Sequence, residues 1–81
     1  MYYVYVLQSI VYKTRYVGST EDVIKRLMEH NAGRVRYTKG RMPWKIIYQE
    51  SFISRSEAMR RELFLKTGQG RKYLDEKLRG M

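Results

Sequence analysis

The feature that most constrains this chain is the run Tyr2-Tyr3-Val4-Tyr5-Val6-Leu7-Gln8 at its start. It is β-branched, aromatic and almost continuously apolar, so residues 2–8 read as a strand buried on both faces. In a chain of 81 residues such a strand belongs to one modest core, because a protein this short buries only about 60% of its unfolded surface. A single domain over 1–81 is expected. The same start lacks a basic segment and a small-residue cleavage site, so it does not read as a signal peptide. No apolar run approaches 18 residues, so no membrane span is expected and the cytoplasm is the default location.

The remaining elements follow from turn and cap chemistry. Ser9 to Lys13 reads as a turn, and residues 14–18 as a second short strand closing an antiparallel hairpin. Ser19 and Thr20 offer N-cap hydroxyls, Ser19-x-x-Asp22 imitates a capping box, and Glu21 and Asp22 suit the positive end of a helix. Val23, Ile24, Leu27 and Met28 recur at helical spacing until Asn31-Ala32-Gly33 stops them. Residues 34–43 form a basic loop with Gly40 and Pro43 as breakers, and 44–53 a third strand. Ser54-x-x-Glu57 is a second capping box, opening a helix to about Thr67. Gly68 and Gly70 read as a break, with a short last helix over 71–79. The expected fold is α+β, a three-stranded, mainly antiparallel sheet flanked by helices in the order β-β-α-β-α-α.

Charge gives the first functional hint. Seventeen Lys plus Arg against eight Asp plus Glu leave a net charge of +9, the footprint of a small protein that meets phosphates. The bases are spread over loops and helices, with no lysine tract or basic amphipathic segment, which favours nucleic acid over a membrane surface. Cysteine is absent and histidine occurs once. Thiolate metal sites, Cys/His pairs and multi-His zinc sites are therefore excluded. A hard cation on oxygen ligands stays open, since one carboxylate plus substrate phosphates can hold Mg²⁺.

Helical spacing singles out a few positions. At about 100° per residue, Leu65, Ala58, Met59 and Leu63 define an apolar arc on the 54–67 helix, and Glu62 falls inside it. A carboxylate aimed at a core must be paired, protonated or bound to metal; a Glu62–Lys66 pair at i, i+4 is the plain alternative. On the first helix, Arg26 and His30 share a stripe at the border of the Val23–Leu27 arc. Arg26 there could hold a phosphate, and His30 could donate a hydrogen bond or shuttle a proton; a solvated flank is the alternative. Tyr2, Tyr3, Tyr5 and Tyr16 crowd the hairpin, as core filler or as phenols whose pKa a neighbouring arginine and cation pull down towards base function.

In order and spacing these residues resemble the GIY-YIG nuclease family over nearly the whole chain. Tyr3-Val4-Tyr5 stands where the GIY element stands, and Tyr16-Val17-Gly18 reads as YIG. The stretch from there to His30 matches the family's arginine and histidine on the first helix, and Arg61-Glu62 its metal-binding glutamate. Tyr37-Thr38, Pro43-Trp44 and Ser54-Arg55-Ser56-Glu57-Ala58 look like the small stand-alone bacterial branch, related to the nuclease domain of the excision-repair incision subunit. The resemblance implies a metal-dependent endonuclease acting on nucleic acid, DNA first, selective for structure, with a role in DNA repair or processing. Tyr16 or Tyr5 would act as or position the base, and Arg26 would stabilise charge on the phosphate. Glu62 would hold one Mg²⁺ or Mn²⁺, and Tyr5, Tyr16, Arg26, His30 and Glu62 would converge on one cleft. Two departures stand out: Tyr3 and Val4 replace Gly and Ile of GIY, and the only asparagine, Asn31, is not on the element where many members carry a supporting one. Reduced or specialised activity is the expected consequence.

Gly18 fits as a small residue ending a strand beside the cleft. Arg34, Arg36, Lys39, Arg41, Arg60 and Lys66, with Arg55, Arg71 and Lys72, are candidate phosphate contacts, which position without reading sequence. No second module reads bases, so shape or ends would be recognised, and a partner protein could supply targeting. Two other readings remain: a catalytically silent nucleic-acid binder, and an interaction module whose charge is incidental. The last predicts salt-insensitive behaviour towards DNA.

Overall fold

In the computed structural model of the protein, residues 1–79 are described; positions 80 and 81 of the expected single domain lie outside the described residues. The order of elements is β1 (Tyr2–Ser9), β2 (Arg15–Thr20), α1 (Val23–Asn31), β3 (Trp44–Phe52), α2 (Arg55–Leu65) and α3 (Gly68–Lys77), with a short 3-10 turn at Lys39–Arg41. The three strands form one antiparallel sheet in the order β2-β1-β3. The apolar first strand is thus the centre of the sheet, as its lack of polar alternation requires.

Side chains alternate across a strand, so β1 feeds two different layers. Val4 and Val6 pack with Ala58, Leu65 and Leu74 of α2 and α3, joined by Tyr2, Val17, Ile47 and Phe64. Tyr5 and Leu7 pack on the other face with Val23 and Trp44, joined by Tyr3, Tyr16, Leu27 and Ile46. Between Val6 and Leu7 the β3 register slips by one: Val6 faces Tyr48, but Leu7 faces Ile46. This bulge turns the consecutive Ile47 and Tyr48 towards α2 and α3, where an ideal strand would split them between the faces.

Local structure departs from the sequence reading at the starts of α1 and α3 and on the apolar faces of α1 and α2. Ser19 and Thr20 do not cap α1, because β2 continues through them, pairing Ser19 with Val4 and Thr20 with Tyr3. Asp22 is the N-cap, accepting from the Lys25 amide at 3.0 Å, while the Thr20 hydroxyl accepts from the Asp22 amide. Ser54 caps α2 as expected, accepting from the Glu57 amide, but the Glu57 carboxylate is met by the Ser54 hydroxyl instead of the Ser54 amide of a full capping box. Gly68 and Gly70 do not break the chain; Thr67 caps α3, which starts at Gly68. A Cβ at Gly70 would lie 2.0 Å from the Phe64 carbonyl oxygen, so this glycine lets α3 close against the end of α2. The apolar arcs are also narrower than expected. On α1, Ile24 and Met28 are exposed, and on α2 so are Met59 and Leu63.

Candidate active site

The α1 face of the sheet holds a polar core. His30 is fully buried near the end of α1, with Nδ1 2.8 Å from Thr38 Oγ1 and Nε2 2.9 Å from the Tyr5 hydroxyl. The Thr38 hydroxyl donates to the Val35 carbonyl, so the network assigns the His30 proton to Nδ1 and leaves Nε2 to accept from Tyr5. Burial, and secondarily the Arg26 charge, lowers the His30 pKa to about 4. The ring is therefore neutral at pH 7. Tyr16, paired opposite Leu7, stacks edge-on against His30 at 4.9 Å between centroids and tilts against Tyr5 at 6.3 Å.

Gly18 does not end a strand, as the sequence reading expects, but lies inside β2 opposite Tyr5, because the ladder continues through Ser19 and Thr20. A Cβ there would meet the Tyr5 hydroxyl oxygen at 2.5 Å and the Tyr16 ring at 3.1 Å. Glycine lets the Tyr5 ring cross β2 and reach His30.

Arg26, one helical turn before His30, is half-buried and pairs with Glu29 at 2.9 Å. It lies close enough to Tyr5 to favour the phenolate, and Tyr5 in turn helps to raise the pKa of Arg26, behind the larger effect of Glu29. Burial outweighs Arg26, however, and pushes the Tyr5 pKa up to about 12, with the charges of Tyr16 and Glu62 adding to the rise. The expected lowering of a tyrosine towards base function is not found at Tyr5.

Glu62 approaches from the other side. Ser19 points towards the α2 layer, since it pairs with Val4, and its hydroxyl donates to Glu62 Oε1 at 2.7 Å. Lys66 donates to Oε2 at 2.6 Å, so the plain i, i+4 pair forms as well. Tyr5, Tyr16 and His30 are thus in mutual contact with Arg26 beside them, whereas Glu62 stands across β2 and is felt at Tyr5 through its charge. Two shallow depressions wrap round the end of β2. One runs from Ser19 and Thr20 past Asp22 to Arg26, the other from Ser19 and Thr20 to Arg55 and Met59.

Among the described residues no three His, Cys, Asp or Glu side chains converge on a metal position. A cage built by the protein alone is absent there, but Glu62 fits the looser arrangement of one carboxylate plus water and substrate phosphates. Its carboxylate is fixed by a hydroxyl and already balanced by one cation, Lys66, whose side chain is about half exposed. Glu62 is the residue that would hold a divalent ion. Asn31 does not support the site: it bridges the Trp44 amide and carbonyl, fastening the end of α1 to the start of β3.

Sequence reasoning missed two participants. Thr38 enters the sequence reading only as part of the Tyr37-Thr38 resemblance, with no role of its own, and Ser19 only as a cap. Arg34, Arg36, Lys39, Arg41 and Arg60 are exposed, as phosphate contacts require. Arg61, quoted only as the neighbour of Glu62, makes a two-point ion pair with Glu50 and lies over the rings of Phe64 and Tyr73.

Residues 1–74 match the model of the GIY-YIG catalytic domain. A UPF0213 protein of Halobacterium salinarum is 49% identical over 67 residues, covering 82% of this chain and 86% of its own. One of Streptococcus agalactiae is 46% identical over 65 residues, covering 79% and 73%. The solution NMR structure of the Bacillus halodurans UPF0213 protein superposes with a TM-score of 0.56 at 35% identity, over 99% of this chain and 87% of that one. It shares the order β-β-α-β-α-α and the antiparallel sheet. The chain therefore belongs to the GIY-YIG catalytic domain family, whose chemistry is of the nuclease type and whose partner is nucleic acid.

Proposed function

We propose that the protein is a single-cation endonuclease that hydrolyses phosphodiester bonds in DNA, working in the cytoplasm in DNA processing or repair. The observation that carries this reading is geometric: Arg26 stands beside the Tyr5–Tyr16–His30 cluster, and Glu62, held by the Ser19 hydroxyl, stands one strand away.

In this reading water attacks phosphorus in line, the bond from phosphorus to the leaving oxygen breaks, and that oxygen takes a proton from solvent. Tyr16, the less buried phenol, receives or aligns the proton of the attacking water. Tyr5 is the wrong phenol for that task, because its proton is committed to neutral His30 and its pKa is raised. Its work, with His30 and Thr38, is to hold the Tyr16 ring. Arg26 stabilises charge on the non-bridging oxygens. A Mg²⁺ or Mn²⁺ ion on Glu62 would supply Lewis-acid neutralisation of the phosphate. Arg34, Arg36, Lys39, Arg41, Arg60 and Lys66 track the backbone.

Labelled single-stranded, duplex and flapped DNA, with matched RNA, tests the reading in Mg²⁺, Mn²⁺ or EDTA. Cation-dependent cutting that EDTA stops is expected. The bonding of Asn31 to the Trp44 backbone, and not to Tyr5, Tyr16, Arg26, His30 or Glu62, favours one second reading, a silent binder. That reading predicts salt-sensitive binding with no product in any buffer.

A further inference from the structure

The basic loop carries a feature that phosphate binding does not use. Val35 and Thr38 are both buried, and the loop is pinned at these two points. The Thr38 and Lys39 amides donate to the Val35 carbonyl, and the Thr38 carbonyl accepts from the Trp44 indole at 2.9 Å. Between them Tyr37 is pushed outward and left 85% exposed, the highest value among the exposed large hydrophobic side chains of the described residues. A ring so placed adds little to the core, yet its backbone is held firm. Arg34, Arg36 and Lys39 surround it in sequence, and none of them takes part in an ion pair among the described residues. An exposed aromatic ring on a hydrogen-bonded loop whose bases are free of ion pairs has the composition of a surface for stacking bases and neutralising phosphates.

We infer that Tyr37 is a stacking platform for an unpaired nucleobase, with Arg36 and Lys39 holding the phosphates on either side of it. The inference rests on the nucleic-acid reading above and narrows its substrate to strands with at least one unstacked base. The platform is tied to the polar core through the chain: Thr38, the next residue, is hydrogen-bonded to His30.

The test is equilibrium binding of a labelled single strand in EDTA, where no cutting intervenes, beside an RNA strand and a duplex of the same length. Tyr37→Ala should weaken single-strand binding about ten-fold, while Tyr37→Phe, which keeps the ring, stays within about two-fold. Duplex binding should change little, and the salt dependence of Tyr37→Ala should match wild type, whereas Arg36→Gln lowers it. A strand with one abasic position at the contact should bind wild type as weakly as an intact strand binds Tyr37→Ala. The platform is supported by a loss of that size on whichever strand, DNA or RNA, the wild type binds. Single-strand binding by Tyr37→Ala equal to wild type overturns the platform and leaves the nuclease reading standing. Failure of the wild type to bind any strand or duplex removes both.

Discussion

The two faces of the sheet are built on different principles. Towards α2 and α3, β1 offers Val4 and Val6 to Ala58, Leu65 and Leu74, an aliphatic contact that is non-directional. Towards α1 it offers Tyr5 and Leu7, and the buried set there includes His30 and Thr38, tied by hydrogen bonds of 2.8 and 2.9 Å. No buried side-chain nitrogen or oxygen lacks a partner among the described residues, so the polar face carries no unsatisfied group. The first face keeps the chain folded; the second fixes where each side chain stands. In the proposed reading, chemistry occurs where the positioned face meets the edge strand β2.

The largest loss of stability is expected on the aliphatic face. Leu65→Ala should cost about 3 kcal/mol, as large-to-small core changes do, read by chemical denaturation, while cleavage per folded molecule stays near wild type. On the polar face, Thr38→Val should cost about 1–3 kcal/mol, because the His30 Nδ1–H loses its acceptor in a buried place. Unlike Leu65→Ala, it should also lower the cleavage rate of the fully folded protein. Equal effects of the two on rate would erase the distinction.

His30 sharpens the comparison through pH. Its pKa in the fold is about 4, below the ordinary value of about 6.5, so the unfolded chain takes up the proton first. The stability associated with neutral His30 is complete above about pH 6.5, declines as pH falls towards 4, and levels off below that. Denaturation at a series of pH values should show this decline in wild type and a flatter profile in His30→Gln. The smallest effect is expected at the exposed Arg15–Asp75 pair between β2 and α3. Arg15→Gln should change stability by less than about 1 kcal/mol, and less still in high salt.

What could be read from the sequence was what local pattern controls. The unbroken run from Tyr2 to Leu7 announced a central strand, and Ser54-x-x-Glu57 a helix start, because each depends on residues next to one another in the chain. Ser19-x-x-Asp22 misled for the opposite reason: strand pairing with Val4 and Tyr3 holds Ser19 and Thr20 extended, and a ladder outweighs a cap hydroxyl. Gly70 reads as a breaker by propensity but is required by the approach of α3 to Phe64. The site was half legible. Tyr5, Tyr16, Arg26, His30 and Glu62 could be named from spacing and resemblance. That Thr38 would hold His30, or Ser19 hold Glu62, depends on contacts 8 and 43 residues apart in the chain, which no periodicity encodes. Nor could the sequence say that Glu62 would stand across β2 from the aromatic cluster.

The proposal that these two halves form one nuclease site is tested most directly by single-turnover cleavage of labelled DNA in Mg²⁺. Wild type would be run beside Arg26→Ala and Glu62→Ala, each shown to be folded by its denaturation midpoint. Either change should lower the rate by at least about a hundred-fold, as loss of a charge-stabilising group does, with DNA binding retained in Glu62→Ala. Cutting at the wild-type rate by either folded variant would contradict the proposal.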